Sequence, residues 1–299
     1  MTAGLLGGVI VPIGVVILMT AVGLNLKLAA MRENLRHPRS LLIATLSQVV
    51  LLPLAALLLI KILAPPPVLS VAMFAVAISP GGALSKVFTH LARGNLALSV
   101  MMTVVTALAV SATAPVAVGV ASAAGVSFVG AGGPLSAQAI AIDLVRACLL
   151  PICLGLLIAR LFPAFVDRIR PGVDLLCVAV IVTVIVCSTI VAWPIVQESA
   201  ARHFGYATAL SLASIAAGAC VAATLPAGDR SACTIEFGVR NLAIALLVAA
   251  GSNPSPEIVA FLLCYLVVNT LALLAVALLV GTWTRPRAAS AVPEVAKLR

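Results

Sequence analysis

The sequence predicts an all-α polytopic membrane protein with nine transmembrane helices. Three observations carry that fold class. Of the 299 residues, 63% are hydrophobic and only 9% charged; the mean hydropathy is +1.25; and polar or Pro/Gly-rich breaks divide the chain into nine apolar pieces, where a crossing needs roughly 20 residues. This composition excludes a soluble globular domain. The N-terminus runs into an apolar stretch with no basic n-region and no Ala-x-Ala site, so a retained span is expected there rather than a cleaved leader.

In order, the spans cover about 4–26, 40–63, 68–92, 95–121, 136–161, 172–196, 204–226, 229–251 and 256–283. The second carries Gln48 ahead of Pro53, and the fifth carries Asp143 and Arg146 at a spacing that suits a structural pair. The longer polar loops, 27–39, 162–171 and 284–299, share one side of the membrane if the spans alternate. Thirteen Lys and Arg residues gather on that side, against only Lys61 and Arg202 opposite. By the positive-inside rule the N-terminus lies outside and the C-terminus in the cytoplasm. The expected setting is a bacterial inner membrane, with residues 1–283 as one transmembrane unit and 284–299 as a basic cytoplasmic tail.

The net charge of +9 is therefore assigned to membrane topology and not to nucleic acid. All seven cysteines fall in apolar spans without CxxC spacing, which predicts neither a disulfide nor a metal site. HExxH and GxSxG are absent from the sequence, so no enzyme, no catalytic residue and no cofactor is expected.

Two spans are interrupted in the middle. The third reads VAMFAVAISPGGALSKVFTHLARGN, broken at Pro80, Gly81 and Gly82; the eighth reads CTIEFGVRNLAIALLVAAG, broken around Gly238. They are five spans apart, and an odd offset means that they cross in opposite directions. This is an inverted repeat of four and five spans, the first repeat about 4–121 and the second about 136–283, with the fifth span unpaired. Matching interruptions in two halves point to a transporter binding site made of discontinuous helices. Each second half-helix begins with free N–H groups and a positive dipole end, which favour an anion such as a carboxylate or sulfonate.

Polar residues converge on these breaks: Gln48, Ser85, Lys86, Ser99, Thr103, Thr106, Glu236, Arg240 and Asn241. A charge at the membrane centre costs roughly 2.5 to 3.5 kcal/mol on insertion scales, so such residues are expected to line a cavity. Gly82, Ala83, Asn241 and Asn269 are the candidates for substrate contact, with helix capping the alternative role for Asn241.

PGGALSKVFTHLARGNLALSVMMT and CTIEFGVRNLAIALLVA resemble the two signature blocks of the bile acid:sodium symporter family, usually PGGxxSN…GxxxLS and xxxEvGxQN. HPRSLLIATLSQVVLLP is similar to that family's Gln-bearing helix. The resemblance runs over nearly the whole chain. It implies ten helices in two inverted five-helix repeats, with a panel domain moving against a core domain whose broken helices cross. The family's first helix is missing from this chain on that reading, which accounts for the unpaired fifth span.

The resemblance also implies one sodium site at Ser85, Lys86, Ser99, Thr103 and Glu236, and another at Gln48, Glu236, Phe237, Val239 and Arg240. In each site a fixed cation, Lys86 or Arg240, stands where the family has an amide. Two sodium ions and one glutamate sum to +1, and ionised Lys86, Arg240 and Glu236 reach the same sum with no ion bound. An ammonium about 4 Å from a carboxylate is worth about 4 kcal/mol at an effective dielectric near 20, and would repel an entering sodium ion comparably.

The expected function is a secondary transporter of an organic anion, bile-acid-like or a small carboxylate or sulfonate, working by alternating access without sodium. Lys86 and Arg240 act as tethered cations in this reading. The alternatives are sodium symport, proton coupling through Lys86, and an anion sensor that does not transport.

Overall fold

A computed structural model describes residues 5–25, 38–82, 84–127, 129–130, 133–134, 137–250 and 255–283. A π-helical turn at Leu6–Ile10 leads into α1 (Val11–Leu24), followed by α2 (Arg39–Leu63), α3 (Pro67–Ile78), α4 (Leu84–Leu91) and α5 (Leu96–Ala123). The second half holds α6 (Ala137–Leu144), a π-helical turn at Val145–Leu149, α7 (Leu150–Leu161), α8 (Pro163–Ala223), α9 (Ala227–Gly238), α10 (Leu242–Ala250) and α11 (Pro256–Trp283). Between the halves lies a small hairpin, β1 (Val129–Gly130) antiparallel to β2 (Gly133–Pro134), which departs from a purely helical chain.

Six helical stretches among the described residues are long and apolar enough to cross a membrane. The loops expected at 162–171 and around 200 are helical instead: α8 runs 61 residues and bends at Ser199, whose φ of −135° and ψ of 27° leave the helical region. Polarity suggested a loop at 162–171, but Arg170 pairs with Asp167 at 3.1 Å along one helix face, and Pro163 occupies the first turn, a position that tolerates proline.

α3 and the α9–α10 stretch lie innermost. Every residue of α3 from Leu69 to Ile78 is buried. The α9–α10 stretch is 78% buried, against 11% to 44% for the other long apolar helices. The outer helices turn their apolar side chains outward, Leu175, Val116 and Leu46 among them, as a lipid-facing surface requires.

Close packing at the periphery relies on small residues. A Cβ on Gly23 of α1 would lie 2.2 Å from the Ile152 carbonyl of α7, and one on Gly155 would lie 2.2 Å from the Thr20 carbonyl. The two backbones touch where neither has a side chain, a common solution for helix pairs in lipid.

Candidate functional site

The break between α3 and α4 follows from proline. Pro80 has no N–H to continue the helix, and the residue before a proline is pushed to extended backbone. Ser79 accordingly adopts φ −73° and ψ 146°, which turns its carbonyl out of the helix. In the other break Val239 is extended, at φ −75° and ψ 123°, after Gly238. Asn241 then starts α10: its Oδ1 accepts from the Ile244 N–H at 3.2 Å and its carbonyl from the Ala245 N–H at 2.9 Å.

The two breaks meet. The Asn241 N–H donates to the Pro80 carbonyl at 2.9 Å. A Cβ on Gly82 would sit 2.9 Å from the Arg240 carbonyl, and one on Gly81 would sit 2.4 Å from Glu236 Oε2. Only glycines permit this approach, and this is the physical reason for the PGG run.

The Glu236 carboxylate is fully buried. Ser99 donates to Oε1 at 2.5 Å, and Thr103 lies 3.2 Å from Oε1 and 3.3 Å from Oε2. The Ser85 hydroxyl, bonded to the Gly82 carbonyl at 2.9 Å, also faces the carboxylate. The structure thus brings Ser85, Ser99, Thr103 and Glu236 together from three helices.

Lys86 stands farther out. It is half-buried, lies within Coulombic reach of Glu236, Asp174 and Cys177, and makes no ion pair within 4.0 Å of Glu236 among the described residues. Asp174 itself accepts from Asn25 Nδ2 at 3.3 Å.

Arg240 sits at the crossing, 5% exposed. One terminal nitrogen donates to the Ser79 carbonyl at 2.9 Å and the other to the Glu236 carbonyl. Gln48 Nε2 donates to that same Glu236 carbonyl at 2.7 Å, while Gln48 Oε1 accepts from Thr106 at 2.8 Å. The Ser79 and Glu236 carbonyls are therefore held by side-chain donors, as burial demands. Arg240 Nε is buried without a partner. The Ser79 and Glu236 carbonyls thus both face the guanidinium.

A cleft of about 130 Å³ opens on one side of the crossing. Its polar end is formed by Gly82, Arg240 and Asn241, and its walls are apolar, with Met19 from α1, Val184 and Ile185 from α8 and Leu262 from α11. Arg240 also borders a much smaller cavity, of about 10 Å³, with Gln48, Ser79 and Thr106, so one residue lines both spaces.

Of the expected substrate contacts, Gly82 and Asn241 line the cleft. Ala83 lies outside the described residues. Asn269 is not among the cleft residues; it is buried in α11, where it accepts from Ser211 at 2.8 Å. Asp143 and Arg146 are both exposed. Among the described residues no three of His, Cys, Asp and Glu gather as a metal site. The residues not anticipated are Ser79, Ser188 in the cleft wall, Asp174 beside Lys86, and Tyr265, whose hydroxyl is 3.4 Å from the Gly238 carbonyl. Ser79 had a local signal, since its place before Pro80 predicts a freed carbonyl; the other three depend on packing between distant helices.

The profile of the Sodium Bile acid symporter family matches residues 12–198, well over half of the chain. The chain belongs to the Sodium Bile acid symporter family. It is 26% identical over 251 residues to a probable sodium/metabolite cotransporter BASS2, chloroplastic, of Oryza sativa, covering 82% of this chain and 57% of that protein. An uncharacterized sodium-dependent transporter, YocS, of Bacillus subtilis is 30% identical over 169 residues, 56% of this chain and 50% of its own length. The hepatic sodium/bile acid cotransporter of Rattus norvegicus is 30% identical over 95 residues, 32% of this chain and 26% of its own length. This chain spans about half the length of the first two relatives. This membership, with the six long apolar helices, makes the chain an integral membrane protein, and the relatives named above are described as transporters.

Proposed function

We propose that the protein is a secondary carrier of amphipathic organic anions that works by alternating access and without sodium. The observation that carries this reading is the placement of Arg240: its guanidinium bonds the two carbonyls of the crossing, a position suited to a bound cation. Being part of the chain, it neither leaves nor needs to be supplied. Lys86 adds a second fixed positive charge within reach of Glu236.

The cleft supports the substrate class. An apolar body fits its walls, and an acidic head fits the end where Arg240, Asn241 and the start of α10 lie together, a donor-rich helix N-terminus. The panel then comprises α1, α6, α7 and the first part of α8, and the core contains the crossed breaks. Nine spans in an inverted repeat of residues 4–121 and 136–283, N-terminus outside, are part of the same proposal, as is a bacterial inner membrane.

The relatives' names speak of sodium with metabolites or bile acids, which favours sodium symport as the second reading. Uptake of a radiolabelled organic anion into proteoliposomes, in sodium and in choline buffers, separates the two. Equal uptake is expected; uptake that requires sodium overturns the proposal.

A further inference from the structure

If no sodium moves, the charge that crosses the membrane changes sign. The positive groups of the site are covalently held: Arg240 is fixed to Ser79 and Glu236, and Lys86 lies on α4. The negative group, Glu236, is held by Ser99 and Thr103. Their sum is +1 when all three are ionised, and a bound monoanion brings it to zero. Over a full cycle these groups return to their starting points, so the anion is the one charge transferred.

We propose that the carrier is an electrogenic anion exporter: an inside-negative membrane drives its monoanionic substrate outward. This rests on the sodium-free reading above. The loaded core is neutral and indifferent to the field, while the empty core carries +1 and is drawn inward. The potential therefore acts on the return of the empty carrier. One elementary charge across 100 mV corresponds to an outward accumulation of about 50-fold.

The experiment uses the purified full chain in sodium-free liposomes, with valinomycin and a potassium gradient setting the potential. The probe is radiolabelled decanesulfonate, a permanent monoanion with an apolar body that cannot cross as a neutral acid. An inside-negative potential is expected to drive the probe out toward a ratio of about 50 at 100 mV, and reversal of the potential to drive it in. A transient charge movement in the absence of probe, suppressed by saturating probe, is expected in electrical recordings on the same vesicles.

Sodium-free transport that ignores the potential, as in proton symport or neutral exchange, overturns the export proposal and leaves the carrier intact. Transport that appears only with sodium overturns the sodium-free reading. Decanesulfonate that is carried under neither condition overturns the assignment of an amphipathic anion to this cleft.

Discussion

The Arg240 guanidinium donates at 2.9 Å to the carbonyl of Ser79, a residue 161 positions earlier in the chain. One side chain thereby joins the break of the first half to the break of the second. It does so with a bond of the charge-assisted kind, worth about 1.5 to 3 kcal/mol when its partner is buried.

Replacing both fixed cations by the amides that the family resemblance implies at these positions should create ion binding. Lys86→Asn combined with Arg240→Gln is expected to give a protein whose melting temperature in detergent rises with added sodium. The parent should be insensitive. An equal sodium response in the two proteins counts against the tethered-cation reading.

Gly82→Ala places a Cβ 2.9 Å from the Arg240 carbonyl, a backbone atom that cannot swing away. The crossing must spread by a few tenths of an ångström at the polar end of the cleft. Anion affinity is expected to fall by tenfold or more, read by a binding isotherm, with the helical content unchanged by circular dichroism.

The helices and their interruptions were legible because proline, glycine and apolar run length are local signals. Pro80 and the glycines after it mark the first break, between Ile78 and Leu84, and Gly238 marks the second, where α9 ends. What escaped is what tertiary packing decides. Asn269 resembled a cleft residue by its polarity, but Ser211 from α8 satisfies it. Lys86 reads as a direct partner of Glu236 from its motif position, yet packing leaves it without an ion pair there and within Coulombic reach of Asp174 as well. The polar run at 162–171 looked like a loop because composition alone does not show that Asp167 and Arg170 pair on a helix.

Gln48 connects the Glu236 carbonyl, at 2.7 Å, to the Thr106 hydroxyl, at 2.8 Å. Gln48→Leu leaves Thr106 without its acceptor and withdraws one of the two donors to the Glu236 carbonyl, at about 1 to 3 kcal/mol for each group left unsatisfied. The expected result is a lower melting temperature together with reduced sodium-free transport. A variant as stable as the parent would show that this link carries no weight.

The cleft can be filled without touching its charges. Ile185 lines the wall contributed by α8, and Ile185→Trp puts an indole into the space assigned to the substrate's apolar body. Binding of decanesulfonate should be lost while the melting temperature stays near that of the parent. Retained binding would place the substrate elsewhere.

Orientation is checked by labelling. Lys61 and Arg160 are both exposed, at the ends of α2 and α7, and the positive-inside bias assigns them to opposite sides. In intact cells a membrane-impermeant maleimide is expected to modify Lys61→Cys, and Arg160→Cys only after permeabilisation. The reverse pattern inverts the topology.

The hydrogen bond from the Asn241 N–H to the Pro80 carbonyl bears on biosynthesis as well as on transport. A nascent chain released before residue 240 emerges holds bare oxygens at Ser79 and Pro80, which hydrocarbon cannot solvate. Such a fragment should be unable to settle by itself. The first half of the molecule has to wait, shielded by insertion factors or neighbouring polypeptide, until the ribosome delivers the arginine and asparagine that complete it.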